Sequence, residues 1–157
     1  MSAQLSGVDL TITSTIAAFP VGTVYTAPKG EVYQYVKGGG TIAQYEYVKI
    51  STDGNFTATS MTTTTNPSTE PADVGCVQVS GGLTSSLYGW VFRGNGAHTG
   101  LFAASCVQNV KIYTTGTSGV VDDSSTTLVQ GLKLITTITS AAASPAWATG
   151  ILRTATA

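Results

Sequence analysis

The sequence contains little charge. Asp, Glu, Lys and Arg make up 10% of its 157 residues and leave a net charge of −1, whereas a typical soluble domain has about 25% charged residues. Proteins that bind DNA or RNA carry clustered Lys and Arg, but the seven basic residues here are spread singly along the chain. We therefore expect no nucleic acid among its partners. Thr, Ser, Gly and Tyr are abundant instead, and a surface of hydroxyl groups favours contact with other proteins.

Long apolar segments are also lacking. No run of about 18 or more apolar residues occurs, so the sequence predicts no transmembrane helix and no membrane partner. The first residues, MSAQLSGVDL, lack the basic start and the apolar core of a secretory signal peptide. We therefore expect a protein that stays in the cytosol where it is made.

Cysteine and histidine are scarce. Cys76 and Cys106 are far apart and form no CxxC pair, which argues against a zinc or thioredoxin-type site. Both lie in apolar surroundings, so we expect buried free thiols. His98 is the single histidine, and any Ser-His-Asp machinery would have to use it. Its place beside a predicted turn indicates a solvated side chain instead.

Paired carboxylates are nearly absent. Asp122-Asp123 is the only acidic pair. Adjacent residues of a strand point to opposite faces, so this pair does not fit a two-carboxylate glycosidase, and a calcium loop would need more carboxylates. We expect it to end a strand and begin a turn. The sequence thus predicts no catalytic residue, no cofactor and no metal ion.

The hydrophobic pattern has a period of two throughout the chain. In GVDLTITST, for example, Val8, Leu10 and Ile12 alternate with polar residues, which predicts a strand with one solvated face. Several such runs are separated by turn signals. They predict an all-β protein, a compact β-sandwich or β-barrel of short antiparallel strands and hairpins with little or no helix. AASCVQNV and AAASPAW are the two segments that could hold a helical turn.

Turn residues divide the predicted strands. Pro and Gly in residues 27–30, APKG, predict one hairpin, and Asp53-Gly54 predicts another. Residues 38–40, GGG, break the strand that precedes them. We expect a single β-rich domain over residues 1–157. Within it, residues 1–7 form a flexible N-terminal arm and residues 62–73, TTTTNPSTEPAD, form a low-complexity loop between two β halves.

A glycine-rich segment, GWVFRGNGAHTGLFAASC, raises the question of a phosphate loop. Its Gly94, Gly96 and Gly100 miss the G-x-G-x-x-G fingerprint by one residue. Sequence typical of β-strands also lies on both sides of this segment, whereas a phosphate loop leads from a strand into a helix. Asn95-Gly96 between two β-prone runs is typical of a two-residue type I′ turn. We therefore expect a hairpin tip at Asn95-Gly96.

Aromatic residues follow the same period of two, with a tyrosine pair on one face of each of two predicted strands and a tryptophan on a third. Tyr and Trp are enriched at protein interfaces, but they also fill barrel cores, and the sequence does not separate the two. Polar flexible segments that order on binding add further candidates. The candidate contact residues, for a partner protein or for further copies of the chain, are Ser2, Gln4, Leu5, Tyr33, Tyr35, Tyr45, Tyr47, Thr64, Asn66, Pro67 and Trp90.

Four segments carry a resemblance to a known family. They are GTVYTAPKGEVYQYVKGGGTIAQYEYV in the N-terminal half, and LYGWVFRGNG, AASCVQNVKIYTTGTSGVVDD and LVQGLKLITT in the C-terminal half. Together, over roughly residues 20–140, they resemble the capsid cement or decoration proteins of tailed bacteriophages. The chain departs from the family pattern at Lys111-Ile112-Tyr113, where a leucine–tyrosine pair is common, and at Arg93 after the tryptophan strand.

The resemblance implies binding without catalysis. Cement proteins sit on the outside of the expanded head, bridge neighbouring major capsid protein subunits and resist the pressure of packaged DNA. They are β-rich and often dimeric or trimeric. By this resemblance we expect the partners to be the major capsid protein and further copies of the chain, as a homodimer or homotrimer. The expected location is the capsid exterior of the virion, after synthesis in the host cytoplasm.

The sequence is also compatible with a function of another class. The chain could be a head-fibre or tail-associated module that binds a receptor or glycan, with its tyrosine and tryptophan stripes as a stacking platform for sugars. A cell-wall hydrolase is a third class, and it would depend on His98.

Overall fold

The computed structural model describes residues 8–63, 72–124 and 126–155. Within these ranges the chain forms strands and no helix, so the all-β prediction is confirmed, and no helix there could cross a membrane. The strands are β1 (Val24–Thr26), β2 (Val32–Gly38), β3 (Tyr47–Ile50), β4 (Thr57–Ser60), β5 (Asp73–Val77), β6 (Tyr88–Phe102), β7 (Ile112–Thr114), β8 (Val121–Asp122), β9 (Leu128–Leu134) and β10 (Ala142–Thr154).

Backbone ladders join the strands into one mixed sheet that closes on itself twice. The first ring runs β2-β4-β3-β5-β6 and returns to β2, and the second runs β6-β8-β7-β9-β10 and returns to β6. Both rings therefore share β6. Most ladders are antiparallel, as predicted, but β2–β4 and β6–β8 are short parallel ladders. Closure of a sheet pairs strand edges that would otherwise be open.

Strand β6 is continuous, so the predicted hairpin at Asn95-Gly96 is wrong. β6 is 15 residues long and passes straight through this dipeptide. Asn95 has φ 59° and Gly96 has φ 155°, and the register of β10 against β6 shifts beside them, between Ala148 and Ile151. Asn and Gly accept left-handed backbone in a strand irregularity as readily as in a turn. The dipeptide therefore marks the place where β6 passes from the first ring into the second.

Two other predicted hairpins are confirmed. Residues 27–30 connect β1 to β2, whose antiparallel ladder begins at the pair Thr26↔Val32. Asp53 and Gly54 lie in the loop between β3 and β4, which pair antiparallel, and Gly54 has φ 88°. β2 ends at Gly38, where the triple glycine was predicted to break it.

The segment AAASPAW does not interrupt the sheet and holds no helical turn. It lies within β10, which is 13 residues long. Pro145 pairs with Thr99 of β6, and its carbonyl accepts a hydrogen bond from the Ile135 N–H at 3.1 Å. Because β9 ends at Leu134, the missing N–H of the proline falls at the end of that ladder, where its loss costs least.

The predicted N-terminal strand over GVDLTITST is also wrong. The Asp9 carboxylate accepts hydrogen bonds from the Thr11 N–H at 2.8 Å and from the Thr11 hydroxyl at 2.6 Å. This local turn competes with an extended backbone, and these hydrogen bonds lower the pKa of Asp9. A single bridge between Ser14 and Tyr88 attaches the segment to the sheet.

Each ring has its own hydrophobic cluster, and strands β5 and β6 contribute side chains to both clusters. Neighbouring residues of a strand point to opposite faces, so Val91 joins the first cluster while Phe92 joins the second. Val77 and Cys76 of β5 divide in the same way. Both cysteines are buried and free, as predicted. The first cluster comprises Val36, Ile42, Val48, Ile50, Ala58, Val77, Val79, Leu83 and Val91.

A glycine in β6 makes room for the largest side chain of the second cluster. Tyr47 is fully buried, and its hydroxyl lies against Gly100, where an added Cβ would overlap the phenol. We expect Gly100→Ala to lower the free energy of unfolding by about 1–3 kcal/mol through overpacking. Chemical denaturation followed by tryptophan fluorescence measures this. Gly116→Ala is the control, because nothing lies within 4 Å of its Cβ; equal losses in the two variants would contradict the prediction.

Candidate functional site

Three of the predicted contact residues are buried inside the chain. Tyr35, Tyr47 and Trp90 are 3%, 0% and 2% exposed, so the interpretation of these side chains as surface contacts is wrong and they belong to the core. The predicted arm and residues 64–71 of the predicted loop lie outside the described residues, and with them Ser2, Gln4, Leu5, Thr64, Asn66 and Pro67. Asp73, the last residue of that predicted loop, begins β5.

The N-terminal segment covers the aromatic face of β2 and β6. The Phe19 ring packs edge-on against Tyr35 and Trp90, with centroid distances of 5.4 Å and 5.3 Å. The Ala18 N–H donates a hydrogen bond to the Tyr35 hydroxyl at 3.1 Å. This cover helps to bury Tyr35 and Trp90. Sequence reasoning missed it because a strand was expected in the segment.

Tyr33 and Tyr45 are partly buried and lie in different settings. The Tyr33 ring packs against Phe92 at 5.8 Å between centroids, and burial, followed by the nearby Glu31 charge, raises its pKa. Tyr45 has φ 71° and precedes β3 in a turn, so it does not share a strand face with Tyr47. The prediction of a second tyrosine pair is therefore wrong.

His98 is a core residue and not a solvated turn residue. Its side chain is 8% exposed, stacks on Phe92 at 4.3 Å between centroids and lies with Nε2 2.9 Å from the Tyr47 hydroxyl. Burial lowers the pKa of His98 to about 4. The imidazole is therefore neutral at pH 7 and contributes packing and one hydrogen bond.

Asp122 and Asp123 end β8 and begin a turn, as predicted, and they lie close to Cys106. Ligand atoms of the three residues are within 4.8 Å of one another. Asp123 accepts a hydrogen bond from the Val107 N–H at 2.8 Å, and Asp122 accepts one from the Ser124 hydroxyl at 2.8 Å. Burial, and then the charges of the two carboxylates, raise the pKa of Cys106 to about 11. A cysteine binds a metal as its thiolate, a form that the raised pKa disfavours, whereas the hydrogen bonds of the two carboxylates cap the local turns.

An exposed tryptophan that sequence reasoning missed lies on β10. Trp147 is 48% exposed, because Ala146 and Ala148 on either side point into the second cluster. Its cross-strand partners are Ala97 on β6 and Lys133 on β9. The sequence AWATG shows that the indole and the alanines lie on opposite faces, but alanine is too small and too common at surfaces to show which face is buried.

The sheet around this indole is a broad outward face of small and apolar residues. Pro145 and Ala143 follow Trp147 on the same face of β10, and Thr99 and Leu101 are their partners on β6. The only formal charge on this face belongs to Lys133. We call this surface the Trp147 face, and it comprises Ala97, Thr99, Leu101, Lys133, Ile135, Ala143, Pro145 and Trp147.

Comparison of the chain with protein-family models, with curated proteins and with solved structures finds no match in any of the three. The function of the chain is therefore inferred from its residues, their geometry in the structure and the sequence resemblance described above.

The buried imidazole predicts a specific acid sensitivity. Unfolded His98 takes up a proton near pH 6.5, whereas folded His98 does so only near pH 4. Stability should therefore fall as the pH is lowered through this window, by up to about 1.4 kcal/mol per pH unit, with no contribution above it. His98→Phe keeps the ring stack and should remove this part of the slope in urea denaturation between pH 7 and pH 4.

Tyr47→Phe is the control, since it removes the hydrogen bond but keeps the titrating imidazole. This variant should retain most of the dependence of the unfolding free energy on pH that the wild type shows. An identical slope in wild type and His98→Phe would show that the imidazole does not titrate as its burial requires.

Proposed function

We propose that this protein is a structural virion protein that binds the outer surface of the expanded head of a tailed bacteriophage and bridges major capsid protein subunits. The observation that carries the proposal is the Trp147 face, an exposed tryptophan on a nearly uncharged sheet surface. The resemblance of the four sequence segments to cement proteins supports the same function. The proposed location is the exterior of the capsid.

Physical reasons support this face as the contact surface. Tryptophan is enriched among the residues that dominate binding energy at interfaces, especially near their centres. Trp147 lies in the middle strand of three, so a partner can surround it and exclude water. The strands on both sides belong to a closed ring, which holds the surface in one shape before binding and reduces the ordering cost.

Multiple copies would strengthen such a contact. A homodimer or homotrimer presents several Trp147 faces to a lattice of identical capsid subunits. The second contact then forms at a high effective concentration, and the apparent affinity rises without any new interaction. We include self-association in the proposal for this reason.

Trp147 also supports the alternative of a head-fibre or tail-associated module that binds a glycan. The stacking platform first expected at Trp90 is covered by Phe19. An exposed indole offers the same apolar surface with a polar tip, so the alternative now rests on Trp147.

Co-sedimentation with empty heads tests the proposal. Heads assembled from the co-encoded major capsid protein are prepared expanded and unexpanded and mixed with the purified full chain. We expect saturable binding to expanded heads only. Trp147→Ala should weaken it by about thirtyfold, the loss of about 2 kcal/mol that defines a dominant interface residue.

Ile16→Ala is the matched control, because Ile16 is an exposed apolar residue, at 78% exposure, on the N-terminal segment. It should bind heads like the wild type. Binding to neither form of the head would overturn the proposal. A glycan array that retains the wild type and loses Trp147→Ala would then support the alternative.

A further inference from the structure

A cleft of about 290 Å³ lies where the two rings meet, beside β1. Strands from both rings contribute to it: β1 and β2 form one wall, and β5, β6 and β10 form the other. The lining is apolar at the rim, where Val24 is 57% and Ile151 is 38% exposed. It is polar at the base, and the lining residues are Val24, Val32, Gln34, Asp73, Arg93 and Ile151.

Positive charge exceeds negative charge in an ion-pair cluster that begins with Arg93 in the cleft and extends beyond its lining to Arg153. Arg93 Nη2 is 3.0 Å and Arg153 Nε is 3.4 Å from the same Asp73 oxygen, Oδ1. Two guanidinium groups thus share one carboxylate. Glu31, in the turn between β1 and β2, lies against Gly96 and is not part of the lining.

The guanidinium group of Arg93 is held in place, but not all of its N–H groups form hydrogen bonds within the described part of the chain. Arg93 Nη1 donates a hydrogen bond to Gln34 Oε1. The side chain is buried, at 5% exposure for the residue, and its Nε has no partner among the described residues. Arg153 is more accessible, with 60% of its side chain exposed. The outer arginine can therefore meet an incoming anion while the inner one supplies a fixed positive charge behind it.

Strand β1 has an open edge beside this cleft. In the described part of the chain β2 is the only strand that pairs with it. The Thr23 carbonyl accepts a hydrogen bond from the Tyr35 N–H, and the Ala27 N–H donates to the Glu31 carbonyl, both at 2.8 Å. Alternate residues of an antiparallel strand point their polar groups to the same side. The backbone groups of Val24 and Thr26 therefore face away from β2.

We propose that the edge of β1 and this cleft together bind an extended segment of a partner protein that carries a carboxylate side chain. Strand addition supplies main-chain hydrogen bonds, and the pocket supplies specificity. A side chain of the added strand opposite Val24 lies on the same face as Val24 and so over the cleft. There its aliphatic part contacts Val24 and Ile151, and its carboxylate meets Arg153.

Charge complementarity selects this occupant over a neutral or basic segment. Arg93 lines the cleft and Arg153 borders it through their shared partner Asp73, so two arginines stand against one carboxylate, and an arginine–carboxylate pair is among the stronger charge-assisted hydrogen bonds. The inference goes beyond the proposed function and does not depend on it, because β1 and the Trp147 face are separate surfaces.

Titration of the isotope-labelled full chain with three capped pentapeptides tests the proposal. The peptides are Thr-Val-Glu-Val-Thr and its versions with Gln or Lys in place of Glu. We expect saturable shifts of the amide signals of Val24, Thr26 and Ile151 with the Glu peptide. Binding should be about fivefold weaker with the Gln peptide, a loss of about 1 kcal/mol, and weaker still with the Lys peptide.

Two variants separate charge from strand pairing. Arg153→Gln should reduce the affinity for the Glu peptide to that for the Gln peptide. Val24→Pro removes an outward N–H from the edge strand and should weaken all three peptides alike, with thermal unfolding as the check on its fold. Lys111→Gln is the matched control for loss of an exposed cation, since Lys111 lies outside both proposed surfaces, and it should bind like the wild type.

Equal binding of the three peptides would overturn the role of the carboxylate, and so would an unchanged affinity in Arg153→Gln. The absence of binding by the Glu peptide at millimolar concentration would overturn the site as a whole. Loss of head binding in Trp147→Ala with peptide binding intact would confirm that the two surfaces act separately.

Discussion

The sharing of β6 between two rings is the constraint on which the rest of the structure depends. Its first half pairs with β2 and β5, and its second half pairs with β10. The first half presents one face to each of the two hydrophobic clusters, which is why Val91 and Phe92 are both apolar and both buried. The second half faces the second cluster on one side and forms part of the Trp147 face on the other. The change of partners falls at Gly94, which pairs with Val32 of β2 and with Ile151 of β10. The cleft beside Arg93 lies at this junction, where the registers of β10 and of β2 against β6 both shift.

Much of the fold follows from local sequence. The period of two, the hairpins at residues 27–30 and at Asp53-Gly54, and the buried free cysteines all depend on short-range patterns. The errors arise where a local signal has two physical outcomes. Asn95-Gly96 supplies left-handed backbone for a turn or for a strand irregularity, and only the partners of the flanking runs decide between them. Pro145 predicts a break in the strand, and only the knowledge that β9 ends beside it shows that the strand can continue.

The candidate site was less predictable than the fold. Whether Tyr35 and Trp90 face solvent depends on Phe19, which is far from Trp90 in the sequence and reaches it only after β2 and β6 have paired. His98 shows the same limit, because its burial results from a stack with Phe92 and a hydrogen bond to Tyr47. Trp147 is exposed because its alanine neighbours fit inside the second ring. In each case the exposure of a side chain is decided by how strands pair and which of their faces a ring encloses, and no window of local sequence contains that information.

The closure of the two rings also bears on lateral association between strands of different molecules. Proteins commonly avoid association through a net charge well away from zero, and this chain has a net charge of −1. Its β-rich, hydroxyl-rich sequence would be prone to lateral strand pairing if long edges were open. Among the described strands ring closure pairs these edges, apart from the outer edge of β1, and so limits lateral association in a chain with little electrostatic repulsion. Protection by paired edges does not depend on ionic strength, whereas protection by charge is screened by salt.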